Sequence, residues 1–148
     1  MFIEEALVQL LREDADVSAI VGARIYPQIA PQNSPFPRIV YQRVTTTHIE
    51  HMQGSSGLAR ALIQVDSYSP NYDEAKALSE AIRLLLQPVR SATVVIGDGT
   101  DAKNYFIGGI HLTNTQDLYE VPTDAGEIGL HRVRQDWGIW SDESTGGE

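Results

Sequence analysis

At 148 residues, with 42% apolar and 21% charged residues, the chain has the size and balance of one folded domain that needs no disulfide or metal to hold its core. The absence of cysteine excludes disulfides, thiolate zinc sites and cysteine nucleophiles. A formal charge of -9, with two lysines and nine scattered arginines, argues against a sequence-independent grip on nucleic-acid phosphates. No run approaches the roughly 18 apolar residues of a membrane span, and Met1-Phe2-Ile3-Glu4-Glu5 lacks the basic opening of a signal peptide, so the chain is expected to stay in the cytoplasm where it is made.

The chain opens with Phe2, Ile3, Ala6, Leu7, Leu10 and Leu11 at helical spacing between polar residues, which predicts an amphipathic helix. Asp16 is the expected cap of a second short helical turn, Val17 to Val21, ended by Gly22. Arg24-Ile25-Tyr26 reads as a brief strand, and Pro27, Pro31, Pro35 and Pro37 make the following stretch an extended loop. From Pro37 to Thr47 the residues are β-branched and aromatic, a strand apolar on both faces, with Ile39 and Tyr41 on one and Val40 and Val44 on the other. His48 to Gly57, rich in glycine and serine, reads as a loop.

Leu58 to Ser69 is the clearest strand, with Ala59, Ala61, Ile63 and Val65 on one face and Arg60, Gln64, Asp66 and Tyr68 on the other. Asn71, with Glu74 three positions on, predicts the N-cap of a helix that Pro88 stops, with Ala75, Leu78, Ile82, Leu85 and Leu86 as its inner stripe. Thr93 to Ile96 is a short strand candidate, and Gly97 to Asp101 a loop. Phe106 to Val121 and Gly129 to Trp140 are two β-rich runs joined by a polar hairpin tip, with Val133, Trp137 and Ile139 sharing a face and Trp140 expected at an edge or contact. The expected architecture is one α+β domain over residues 1–140, a mainly antiparallel sheet with helices on one face and a long C-terminal hairpin, followed by a disordered acidic tail over 141–148.

Chemistry-bearing patterns are sparse. His48-Ile49-Glu50-His51 spaces its histidines three apart in an expected loop, whereas the zinc motif H-E-x-x-H needs four on a helix. Asp98-Gly99-Thr100-Asp101 lacks the alternating acids and distal Glu of a calcium loop. Gly97 and Gly99 lack the third glycine of a dinucleotide fingerprint, and the serines near Gly54 and Gly57 lack nucleophile-elbow spacing. His111 and His131 have no Ser or Asp placed to complete a triad. No catalytic, cofactor-binding or metal-binding residue is assigned. A small metal-dependent hydrolase using His48, Glu50 and His51 is the rival reading from a different class.

An ordered set of segments resembles the tail-completion family of siphophages and prophages, which includes tail terminator and head-to-tail joining proteins. It comprises Glu4-Glu5-Ala6-Leu7 through Leu11, Val17 to Gly22, Arg24-Ile25-Tyr26-Pro27, Ala30-Pro31-Gln32 and Pro37-Arg38-Ile39-Val40-Tyr41-Gln42. Further on come Ala61 to Ser69, Tyr72-Asp73-Glu74-Ala75-Lys76-Ala77-Leu78, Asp117-Leu118-Tyr119-Glu120 and the closing strand to Trp140. The segment from Gln87 to Tyr105 departs from the resemblance, being long and rich in Gly and Asp, so its contacts do not transfer.

The resemblance implies a structural virion protein, assembled in the host bacterial cytoplasm. It would sit as a ring, typically a hexamer, on the head-proximal end of the tail tube, ending tube growth and offering a surface to the head. The implied partners are further copies of itself, the major tail tube protein and a head-tail connector or neck protein. There is no cofactor, membrane or specific nucleic acid among them, although DNA would pass through the lumen, where acidic residues would repel it. A head-completion or neck protein is the closest rival. Closing a ring needs two different complementary patches on each subunit. They are expected on the strand from Arg38 to Val44 and the long C-terminal hairpin, with Val40, Gln42, Val44, His48, His51, Tyr119 and Trp140 as candidate contacts.

Overall fold

The computed structural model describes residues 3–51, 54–97, 102–122 and 129–142. Helix α1 (Ile3–Glu13) carries Glu4 and Glu5 in its first turn and Arg12 in its last, matching the helix dipole, and buries Ile3, Ala6, Leu7, Val8 and Leu11. Helix α2 (Ala15–Val21) is capped by Asp14, not by Asp16 as expected: the Asp14 side chain accepts from the Val17 N–H at 3.0 Å. Asp16 instead sits in the first turn, where its charge suits the dipole. Gly22 closes this helix at φ 57, and its N–H donates to the Ser18 carbonyl.

Six strands follow the order β1-β2-β3-β6-β5-β4 in one mixed sheet. They are β1 (Ile25–Pro27), β2 (Arg38–His51), β3 (Gly54–Ser69), β4 (Arg90–Ile96), β5 (Lys103–Glu120) and β6 (Leu130–Asp142). Only β1 and β2 pair in parallel; the other four pairings are antiparallel. The expected loop from His48 to Gly57 is largely ladder, with Glu50 opposite Ser55 and His51 opposite Gly54. Its glycines and serines are carried by cross-strand hydrogen bonds that composition alone does not reveal. Residues 98–101, expected as a loop, and the hairpin tip at 123–128 lie outside the described residues, as does the expected acidic tail from 143 onward; β6 itself runs to Asp142.

Helix α3 (Tyr72–Leu86) begins where Asn71 accepts from the N–H groups of Asp73 and Glu74. The capping box is closed through a relay, since the Asn71 N–H donates to Ser69 Oγ, which donates to Glu74 at 2.6 Å. Ala75, Leu78, Ser79, Ile82 and Leu86 are buried, whereas Leu85 is only partly so. Full burial of Leu78, Ile82 and Leu86 is worth roughly 1.5–3 kcal/mol each before the compactness of the unfolded chain is allowed for.

The three described helices lie on one face of the sheet. Ile39, Ala61, Ile63, Val65, Ile107, Ile110, Trp137 and Ile139 meet their apolar stripes in a single core. Gln135, on the same face, donates to the Ser79 carbonyl of α3 at 3.0 Å, and Tyr105 donates to Glu5 of α1 at 3.0 Å. This α+β arrangement leaves the alternate residues of the long strands on a face that carries no described helix.

Candidate functional site

The open face is built by the even-numbered residues of β3 and β6, placed side by side: Gln64 lies opposite Asp136, Asp66 opposite Arg134 and Tyr68 opposite Arg132. On the far side of β3, β2 sets Arg38 opposite Tyr68, Val40 opposite Asp66 and Gln42 opposite Gln64. Side chains on such a bare face are ordinarily solvated. Here Gln64, Asp66 and Asp136 are only 6%, 4% and 7% exposed.

Long cationic and aromatic side chains account for that burial. Asp66 Oδ2 accepts from Gln64 at 2.7 Å and from Arg132 Nη2 at 3.1 Å. Arg132 also reaches Glu120 at 3.8 Å and lies 5.7 Å from the Tyr68 ring centre. Arg134 pairs with Asp136 at 3.1 Å. Arg38 lies over Phe36 at 4.1 Å and near Tyr68 at 5.8 Å, while donating to the Ser34 carbonyl at 3.2 Å. The proline-rich segment ahead of β2 is thereby tied to the sheet.

Burial pushes the Tyr68 phenol up to about 12, with Arg132 pulling it down and Asp66 pushing it further up. Burial alone lowers Arg38. At Arg132 burial also works against the charge, but the hydrogen bond and charge of Asp66 outweigh it, and its pKa is raised. The network is not saturated: Asp66 Oδ1 and the Nε atoms of Arg38 and Arg132 are buried without a hydrogen-bond partner among the described residues. A buried polar atom left in this state costs about 1–3 kcal/mol.

Toward the opposite end of the same face the chemistry becomes apolar. Trp140 is half-buried near Gly108, and Phe106 and Val95 are exposed on the neighbouring strands. Arg60 lies flat on the sheet because residue 138 is glycine; a Cβ there would stand 2.8 Å from its Nη2. Charge on the network is balanced, with Arg38, Arg132 and Arg134 facing Asp66, Glu120 and Asp136. The acidity lies in the helical layer: the segments 3–21 and 72–86 hold eight acids against three bases.

Nothing in this arrangement supplies a nucleophile with a base. Among the described residues no group of three or more His, Asp or Glu stands close enough to hold a metal. What the face offers is an ordered pattern of charge and apolar surface.

The matching family model is that of the tail completion protein gp17, over residues 5–142. The chain belongs to the tail completion protein gp17 family. The fold agrees with a chain from the virion of a native gene transfer agent (GTA) particle, at 18% identity, covering 95% of this chain and 94% of that one with a TM-score of 0.65. A second solved chain, at 15% identity with 91% and 94% covered, has a TM-score of 0.36, too low to carry an argument. No curated protein matches. As a member of the tail completion family, the chain is a phage structural protein.

In this tail completion protein the candidate contact residues fall into separate groups. Val40, Gln42 and Trp140 share the open face. A bulge between Arg43 and Thr45 takes Val44 out of the ladder, and it is 48% exposed. Trp140 belongs to β6, an interior strand, not an edge. His48 and His51 are backbone members of β2, and their side chains, with that of Glu50, lie outside what is described.

Tyr119 is on the helix-bearing side, where its ring packs 4.9 Å from that of His131, with Tyr72 5.4 Å away on the same histidine. Gly129 leaves room for it, since a Cβ there would fall 1.8 Å from the Tyr119 hydroxyl. Tyr72 and Lys76 both bind Asp117, tying the start of α3 to β5. Sequence reasoning missed Arg132, Arg134 and Asp136, although their alternation along one strand was a readable signal.

Proposed function

We propose that this protein forms a closed ring at the head-proximal end of the tail tube, ends tube growth there and presents the surface to which the head attaches. The observation that carries the reading is the family match, which spans nearly the whole described chain. A face whose polar groups are held in fixed geometry, with buried atoms still unpaired, suits a surface completed by another protein. Val40, Gln42, Val44, His48, His51, Tyr119 and Trp140 remain the proposed contacts with neighbouring copies, the tube protein or the connector. The activity is assembly and not catalysis, and residues 1–140 act as one unit that β6 extends to Asp142, with the acidic tail following it.

An acid-lined lumen that repels passing DNA requires the helical layer, where the acids cluster, to face the ring axis. Charge reversal at Asp73, Glu74 and Glu80 then changes DNA ejection or its salt dependence. If the helices face outward, that part of the reading is lost.

The test is the mass of the purified protein alone and with purified tail tubes, together with electron microscopy of a deletion mutant. Ring-sized mass on tubes and overlong tails in the mutant are expected. Normal tails beside unattached heads would make the protein a neck component, and no association with itself or with tubes would end the reading.

A further inference from the structure

The ring reading leaves open which parts of neighbouring copies meet, and the two edges of the sheet answer differently from its faces. On one side β1 covers only Ile39, Val40 and Tyr41 of β2, and the Gln28 N–H donates to the Tyr41 carbonyl at 2.7 Å. From Gln42 onward β2 continues to His51 with no described strand on its outer side. At the other end of the sheet β4 is likewise last in order. Such edges present a row of backbone donors and acceptors to any strand that can reach them.

Both edges are suited to pairing. Val44-Thr45-Thr46-Thr47 and Thr93-Val94-Val95-Ile96 are β-branched in every position, and neither holds the proline or lysine that commonly blunts an exposed edge. Thr45 and Thr47 are exposed, as are Thr93 and Val95, the last at 51%. The bulge at Val44 restricts pairing to the stretch beyond it.

Sense fixes the geometry further. The four successive antiparallel pairings from β2 to β4 make those two strands run in the same direction. Rotation about an axis roughly along the strands preserves that direction, so an edge contact between neighbours in a ring is parallel. The outer edge of β2 already accepts a parallel strand, β1, along its first residues. The two edges are also different surfaces, which is what a heterologous, closing contact needs.

We propose that β4 of one copy adds in parallel to the free edge of β2 in the next, beyond β1, so that the sheets of neighbouring copies join through backbone hydrogen bonds. This rests on the ring reading above and names its interface.

The chain has no cysteine, so introduced pairs report cleanly. By register Thr45, Thr47, Thr93 and Val95 all lie on the open face. Thr45→Cys or Thr47→Cys would be combined with Thr93→Cys or Val95→Cys, loaded on purified tail tubes, oxidised and run on a non-reducing gel. At least one pair should give a ladder of covalent multimers ending at the ring size, with every single-cysteine variant no larger than a dimer. Rings seen by electron microscopy with no ladder from any pair would overturn the edge contact and leave the ring standing. Tubes without rings in the micrographs would remove both. Val95→Lys gives an independent check: the wild-type melting temperature with loss of ring formation is expected, and rings at the wild-type level would overturn the proposal.

Discussion

Ile63, Val65, Trp137 and Ile139 on one face of β3 and β6 are fully buried beneath helices, while on the other face of the same strands Gln64, Asp66 and Asp136 are nearly as buried with no described helix above them. The first group is excluded from water by apolar contact, which stabilises in proportion to area. The second is covered by arginine and tyrosine side chains lying along the sheet, an arrangement that contributes little net stability because desolvation offsets the attraction. What such a network supplies is a surface of fixed shape and charge. The covered face holds the fold together, and the open face is where assembly should be sensitive.

The sharpest test of that division is a pair of tryptophans three positions apart in sequence and on opposite sides of the division. Trp137 is fully buried in the core, so Trp137→Ala should cost about 3–5 kcal/mol, seen as a fall in the urea midpoint. Trp140 is half-buried on interior strand β6, and Trp140→Ala should cost less than half as much while weakening attachment to tail tubes. Equal losses of stability at the two positions would erase the distinction.

A smaller effect is expected within the network. Asp66→Ala removes the partner of Arg132 at 3.1 Å and should cost about 1–3 kcal/mol, less than for a fully buried pair because Arg132 keeps some contact with solvent. Adding Arg132→Met should recover most of that loss, since replacing both partners by apolar groups leaves no stranded charge. Thermal unfolding of the single and double variants measures the coupling. A double variant as unstable as the sum of the single ones would mean that the two residues act independently.

The covered face was legible in the sequence and the open one much less so. Alternation along Leu58 to Ser69, the stripe of α3 and the Asn71 cap are local patterns, and the structure follows them. The division of β3 into two faces also followed from alternation. What those faces meet did not, because Asp66 and Arg132 are 66 positions apart and come together only through the β3–β6 pairing, between strands that are not consecutive. The same non-local pairing turned a glycine- and serine-rich stretch into ladder and hid the bulge that displaced Val44. The cap of α2 was misplaced for a different reason: Asp14 and Asp16 are equivalent by residue type, and only the hydrogen bond to Val17 separates them.

The smallest effect expected is also the most specific to the open face. Burial raises the Tyr68 phenol to about 12, so the folded state holds its proton more tightly than the unfolded chain, in which the phenol titrates near 10. The contribution is therefore fully present below about pH 10 and is lost as the pH climbs through the folded value, because the unfolded chain releases its proton first. The ring is only half-buried and solvent screens the remainder, so the loss attributable to it should be no more than about 1 kcal/mol. Tyr41, also raised by burial, keeps a share of the alkaline loss in any Tyr68 variant. Between pH 8 and pH 11.5 the urea midpoint of the wild type should therefore fall further than that of Tyr68→Phe. Parallel decline of the two proteins would mean that the phenol is as solvated as in the unfolded chain, and that the arginines and aromatics of the open face do not keep water from the groups beneath them.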